Sequence, residues 1–107
     1  MTASTPAPLY HYRASLVRVV DGDTIDVMLD MGFQTHCRQR LRLLGVDTPE
    51  RGNAGFAEAS KETAKLLQGE ITVHTVKKDS FGRWLAEVYV DEVHVNGEMR
   101  ARGWGCR

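Results

Sequence analysis

A single stretch of the chain, residues 56–67, has helical length and spacing, and it falls between segments that alternate like strands. Phe56, Ala59, Thr63, Leu66 and Leu67 recur near a 3.6-residue period and give one weakly apolar face. Gly69 follows as a glycine that ends a helix. Before it, residues 10–20 are rich in β-branched and aromatic side chains and read as a first strand. Asp21-Gly22-Asp23-Thr24 is a turn, after which Ile25, Val27 and Leu29 alternate with Asp26 and Met28. Asp30-Met31-Gly32 makes the next turn. A third strand is expected over residues 33–46, with Cys37, Leu41 and Leu43 on one face and Arg38, Arg40 and Arg42 on the other. Pro49 stops it, because proline has no ladder donor and holds Thr48 extended.

After the helix, residues 71–76 and 84–90 read as fourth and fifth strands, and Asn96 as the N-cap of a short last helix ending near Gly103. Five strands with one helix between the third and fourth predict a mainly β (β+α) chain: a five-stranded OB-fold barrel with one main helix and a short C-terminal helix. Residues 1–9 are expected to form a flexible leader and residues 10–107 a single domain, in keeping with a usual domain size of roughly 100–150 residues.

Composition narrows the class. With 42% hydrophobic and 26% charged residues, the chain is too apolar for a disordered one. Fourteen Lys and Arg balance 14 Asp and Glu, which excludes a generic cationic DNA coater but not a local basic patch. No apolar run reaches the roughly 18 residues of a membrane span. Met1 to Pro8 lacks the basic and apolar regions of a secretory leader, so a cytoplasmic location is expected, or secretion if a leader has been removed. Cys37 and Cys106 make no disulfide framework.

Three segments hold the chemistry. Asp23 sits in a glycine turn; Asp47 and Glu50 flank Thr48-Pro49 at a strand end. Carboxylates placed this way suit a hard divalent cation, although Asp and Gly also serve simply as turn formers. Arg42 in a strand and Arg83 after Phe81-Gly82 carry guanidinium forks that match two phosphate oxygens, or pair with a neighbouring acid. His11, His36, His74 and His94 show no metal-ligand spacing.

Val20-Asp21-Gly22-Asp23-Thr24, the run from Arg42 to Glu50, Asp79-Ser80-Phe81-Gly82-Arg83-Trp84-Leu85-Ala86 and the tail from Val95 to Gly103 together resemble the staphylococcal (thermonuclease-like) nuclease family. The resemblance implies a five-stranded OB barrel and Ca²⁺-dependent hydrolysis of DNA and RNA to 3′-phosphate and 5′-hydroxyl ends. By position it implies that Asp23 and Asp47 hold Ca²⁺ through carboxylates and Thr48 through its carbonyl, with Asp21 in support. Glu50 would activate the attacking water, and Arg42 and Arg83 would clamp the phosphate. Apart from the resemblance, the Phe81 ring can stack on a base or sugar, and Lys77 and Lys78 either touch the phosphate backbone of the substrate or form a solvated turn; the substrate is expected to be single-stranded DNA or RNA.

The chain departs from the family pattern in three places. It ends at Arg107, without the family's third helix, so Trp104 and its surroundings are expected to be partly exposed and the molecule to be a monomer or weak homodimer. Phe81 and Ser80 replace a frequent tyrosine and lysine, and the loop at residues 51–55 is short. A catalytically silent OB module that binds nucleic acid or a protein partner is the alternative, since the fold hosts both.

Overall fold

The computed structural model describes residues 11–105; the expected leader, Tyr10 at the head of the first strand and Cys106 lie outside the described residues. Strand β1 (His11–Asp21) pairs antiparallel with β2 (Thr24–Asp30), and β2 with β3 (His36–Leu43). On its other edge β1 pairs antiparallel with β4 (Ile71–Lys78), which pairs with β5 (Trp84–Val90). Leu41, Arg42 and Leu43 then run parallel to Trp84, Leu85 and Ala86, which closes a mixed barrel in the order β1-β2-β3-β5-β4. This is the expected OB-like barrel. A two-residue return strand, β6 (Val93–His94), leads into the last helix.

The barrel interior follows the period-2 pattern. Ile25 and Val27 of β2, Leu41 and Leu43 of β3, Ile71 and Val73 of β4, and Ala86 and Val88 of β5 are all fully buried. Helix α1 (Phe56–Leu66) turns Ala59 and Thr63 inward, and Leu67 caps it as a buried residue. Helix α2 (Val95–Met99) adds Val95 and Met99 to the core. It continues through a wider helical turn, Arg100–Trp104, broken at Gly103 with φ +96°.

Two expectations are corrected. The third strand is shorter at both ends. Gly32, Phe33 and Gln34 all have positive φ, so the second turn extends through Thr35, whose N–H donates to the Gly32 carbonyl; Gly45, at φ +77°, breaks the far end. Asn96 is not a cap. It lies inside α2, fully buried, where its amide accepts from the Val88 N–H (2.8 Å) and donates to the Leu44 (2.9 Å) and Ala86 (3.0 Å) carbonyls. It thus satisfies backbone groups that would otherwise be stranded inside the fold.

Three contacts fix the end of the barrel that carries the polar residues. Thr63 of α1 donates its hydroxyl to the Gly22 carbonyl at 2.7 Å, pinning the β1–β2 turn to the helix. Gly22 has no room for a side chain: a Cβ there would lie 2.8 Å from the Thr48 side chain and 2.9 Å from Ala59 Cβ. Behind the segment after β3, the Asp47 N–H donates to the Trp104 carbonyl at 2.8 Å, and the Trp104 indole N–H donates to Glu62 of α1 at 2.8 Å. Trp104 is half-buried as a result.

Candidate active site

The turn after β1, the segment after β3 and the loop before β5 meet at one end of the barrel. Between them lies a cavity of about 360 Å³, lined by Asp21, Asp23, Arg42, Asp47, Thr48, Glu50, Asp79, Ser80, Phe81 and Arg83. Eight of the ten site residues named from sequence therefore converge. Lys77 and Lys78 do not; both are exposed at the end of β4, with Lys78 Nζ 5.4 Å from the centroid of the Trp84 ring.

Asp23 is the hub. Its carboxylate accepts from the Thr24 hydroxyl (2.9 Å), the Thr48 N–H (3.1 Å) and Arg42 Nη2 (3.3 Å). Burial opposes ionisation of Asp23, but its hydrogen bond with Asp21 and the Thr48, Thr24 and Arg42 contacts together hold its carboxyl below the ordinary value. Asp21 takes the opposite shift. Burial, joined by the adjacent Asp23 carboxylate, pushes it up to about 6. Two carboxylates this close resist double ionisation unless a cation stands beside them.

Arg42 reaches further than Asp23. Its Nη2 also donates to the Val46 carbonyl at 3.1 Å and lies 3.7 Å from Asp47, whose side chain is otherwise exposed. Because Nη2 makes all three contacts, the remainder of the guanidinium fork stays available to a ligand. Arg83 is set from the other wall. Asp79 accepts from its Nε and its backbone N–H, each at 2.9 Å, and from the Phe81 N–H at 2.8 Å. Burial opposes ionisation of Asp79 as well, yet these backbone and guanidinium donors hold its carboxyl below the ordinary value. The Arg83 guanidinium carbon lies 5.5 Å from the centroid of the exposed Phe81 ring. Glu50 lines the cavity with an exposed side chain.

Asp79 and Ser80 line the cavity without having been named as site residues from the sequence, and Asp79 is the one with a clear structural part. Its signal was present: Asp79-Ser80-Phe81-Gly82 is an aspartate-glycine turn in which the carboxylate folds back onto nearby N–H groups. In the sequence Thr63 reads as part of a helix face, and nothing there ties it to Gly22, 41 residues away.

The donors suit a hard divalent cation. Asp21, Asp23 and Asp47 offer carboxylate oxygens, and the Thr48 hydroxyl is buried without a hydrogen-bond partner. Among the described residues, however, no three carboxylates gather tightly around one point, and Arg42 bridges Asp23 and Asp47. No described helix is long and apolar enough to cross a membrane.

Comparison with known proteins bears on this cavity. Residues 40–105 match the family described as staphylococcal nuclease homologue. Micrococcal nuclease of Shigella flexneri is 36% identical over 90 residues, covering 83% of this chain and 49% of that protein. Thermonuclease of Staphylococcus hyicus is 35% identical over 97 residues, covering 82% and 54%. An uncharacterized endonuclease of Escherichia coli O157:H7 is 34% identical over 90 residues, covering 82% and 56%. The chain thus spans about half the length of these relatives.

Proposed function

The chain belongs to the staphylococcal nuclease homologue family, and from that premise we propose that it is a calcium-dependent nuclease, hydrolysing phosphodiester bonds of single-stranded DNA or RNA to 3′-phosphate and 5′-hydroxyl ends. One observation carries the reading: two arginines from opposite walls share a cavity with Glu50 and the Asp21, Asp23 and Asp47 carboxylates. A site that only bound a polyanion would gain nothing from so many acids beside its arginines.

In this reading Arg42 and Arg83 take the nonbridging oxygens of one phosphate. Charge gathers on those oxygens in the transition state, where fixed guanidinium donors count most. Glu50 orients a water and accepts its proton as the water oxygen bonds to phosphorus. The bond from phosphorus to the 5′ oxygen breaks, and that oxygen takes a proton from solvent water and leaves as a hydroxyl. Asp79 holds Arg83 in place, and Asp23 holds Arg42. Asp23, Asp47 and the Thr48 carbonyl would hold the Ca²⁺, with Asp21 in support, and the ion would add positive charge beside the same phosphate. Phe81 offers an exposed ring on which a base or sugar can stack. The protein is proposed to act as a monomer or weak homodimer.

Cleavage of single-stranded DNA with Ca²⁺, and again with chelator, tests the proposal. Chelator-sensitive products ending in 3′-phosphate are expected. Binding without cleavage would select the silent OB module instead.

A further inference from the structure

Outside the cavity, the strongest charged feature of the described residues is on the outer face of β1, β2 and β3. Asp26 points outward from β2 yet is buried, because three arginines cover it. Arg40 holds it with two bonds, Nε at 2.8 Å and Nη2 at 3.1 Å. Arg18 and Arg38 each stand 3.5 Å from its second oxygen. Three positive charges against one leave the face with a surplus of two. One carboxylate cannot occupy three forks, and the arginine side chains stay 49–57% exposed.

This face is continuous with the phosphate site. Arg38, Arg40 and Arg42 alternate along β3 and so share a side, roughly 6–7 Å apart in succession at the rise of a strand. Across the sheet, Arg18 and Arg40 flank Asp26 in register, while Arg42 sits opposite Thr24. Arg40 is also near enough to feel the charge of Asp21 on the cavity wall. Outward from Arg42, positive charge therefore continues as a half-exposed cluster of three guanidinium groups gathered around Asp26, a surplus that suits the neighbouring phosphates of an extended strand.

We propose that this face is a track for the backbone of single-stranded nucleic acid, which leaves the scissile phosphate at Arg42 and passes over Arg40, Arg38 and Arg18. The track rests on the nuclease reading for its direction, but its affinity is separable from cleavage. Binding measured in chelator, over a range of salt, tests it with a dinucleotide and with oligothymidylate of about 16 nucleotides, enough to cover one OB-fold site. The variant R18Q/R38Q leaves the two-bond Arg40–Asp26 pair in place; R38Q alone repeats the measurement should the double variant unfold more readily.

The double variant is expected to bind the oligonucleotide several-fold more weakly near 0.1 M salt, with a salt slope shallower by about 1.4, or about 0.7 for each lost phosphate contact. Dinucleotide binding should not change. Unchanged oligonucleotide affinity and slope would overturn the track, as would an equal loss for the dinucleotide or for polyglutamate, or a wild-type protein that does not bind the oligonucleotide. The nuclease reading fails on a different result: wild-type protein that binds this oligonucleotide but does not cut it with Ca²⁺.

Discussion

The backbone N–H of Thr48 donates to the carboxylate of Asp23 at 3.1 Å, across 25 residues of chain. This bond joins the β1–β2 turn to the segment after β3, and it does so through the atom that also pairs with Arg42. One carboxylate therefore closes the site and balances its arginine.

That double use separates two variants of Asp23. In Asp23→Asn the amide oxygen still accepts from Thr48, and losing the charge relieves Asp21. Unfolding stability in chelator should stay close to wild type, while the rise in Tm on adding Ca²⁺ disappears. Asp23→Ala strands the buried Thr48 N–H and should cost about 1–3 kcal/mol in urea unfolding. A Ca²⁺-induced Tm shift that survives in Asp23→Asn would remove Asp23 from the proposed cation ligands.

Thr63 acts on the site from a helix. Thr63→Val keeps the volume but leaves the buried Gly22 carbonyl without its donor, for a cost of about 1–3 kcal/mol. Because Gly22 sits between the two turn aspartates, activity should fall together with the Ca²⁺ response. Thr63→Ser retains the hydroxyl and should restore most of both. Equal behaviour of the valine and serine variants would deny the hydrogen bond this role.

Much of this arrangement can be read from the chain, and the limit has a physical cause. Ile25, Val27, Leu41 and Leu43 announce their strands because one face meets the core and the other does not. Gly22, Gly82 and Pro49 mark where chemistry-bearing side chains leave the barrel. Asn96 and Asp26 were illegible for a shared reason. Each is a polar residue buried by partners distant in sequence, and periodicity reports the face a residue occupies, not what covers it. Asn96 therefore resembled a cap, and Asp26 an ordinary solvent-facing acid. Phe33 and Gln34 misled in the opposite way, since neither residue type advertises the positive φ it adopts here.

Asp26 gives a pH dependence with a definite sign. Its hydrogen bonds with Arg40, aided by Arg38 and opposed by burial, hold its carboxyl below the ordinary 3.8. A depressed folded pKa contributes stability that is present above the unfolded value and lost as pH falls through the folded one. Asp26→Asn should thus be destabilised at pH 7 by about 1–2 kcal/mol, a modest figure because the arginines are half exposed. The gap should narrow only below about pH 4. Urea titrations at pH 7 and pH 3 check this; a difference that does not shrink in acid would show that something other than the charge of Asp26 holds the strands.

The two arginines should fail in different ways. Among the described residues Arg83 is tethered at its own loop, by Asp79, so Arg83→Ala should lower turnover about 10²–10³-fold, the cost of a lost transition-state donor, and leave stability nearly unchanged. Asp79→Asn should reproduce part of that loss, by loosening Arg83. Arg42 also holds Asp23 and the Val46 carbonyl, so Arg42→Ala should lower turnover by a similar factor and destabilise the fold by about 1–2 kcal/mol as well. Among the described residues the Glu50 side chain has no such structural duty, and Glu50→Gln should lower turnover by about 10²–10⁴-fold with an unchanged urea midpoint. Since Glu50 and Arg42 are proposed to act on one water and one phosphate, Arg42→Ala/Glu50→Gln should fall well short of the product of the single losses. Fully multiplicative losses would mean that the two residues serve independent steps, and the single-phosphate arrangement would then be wrong.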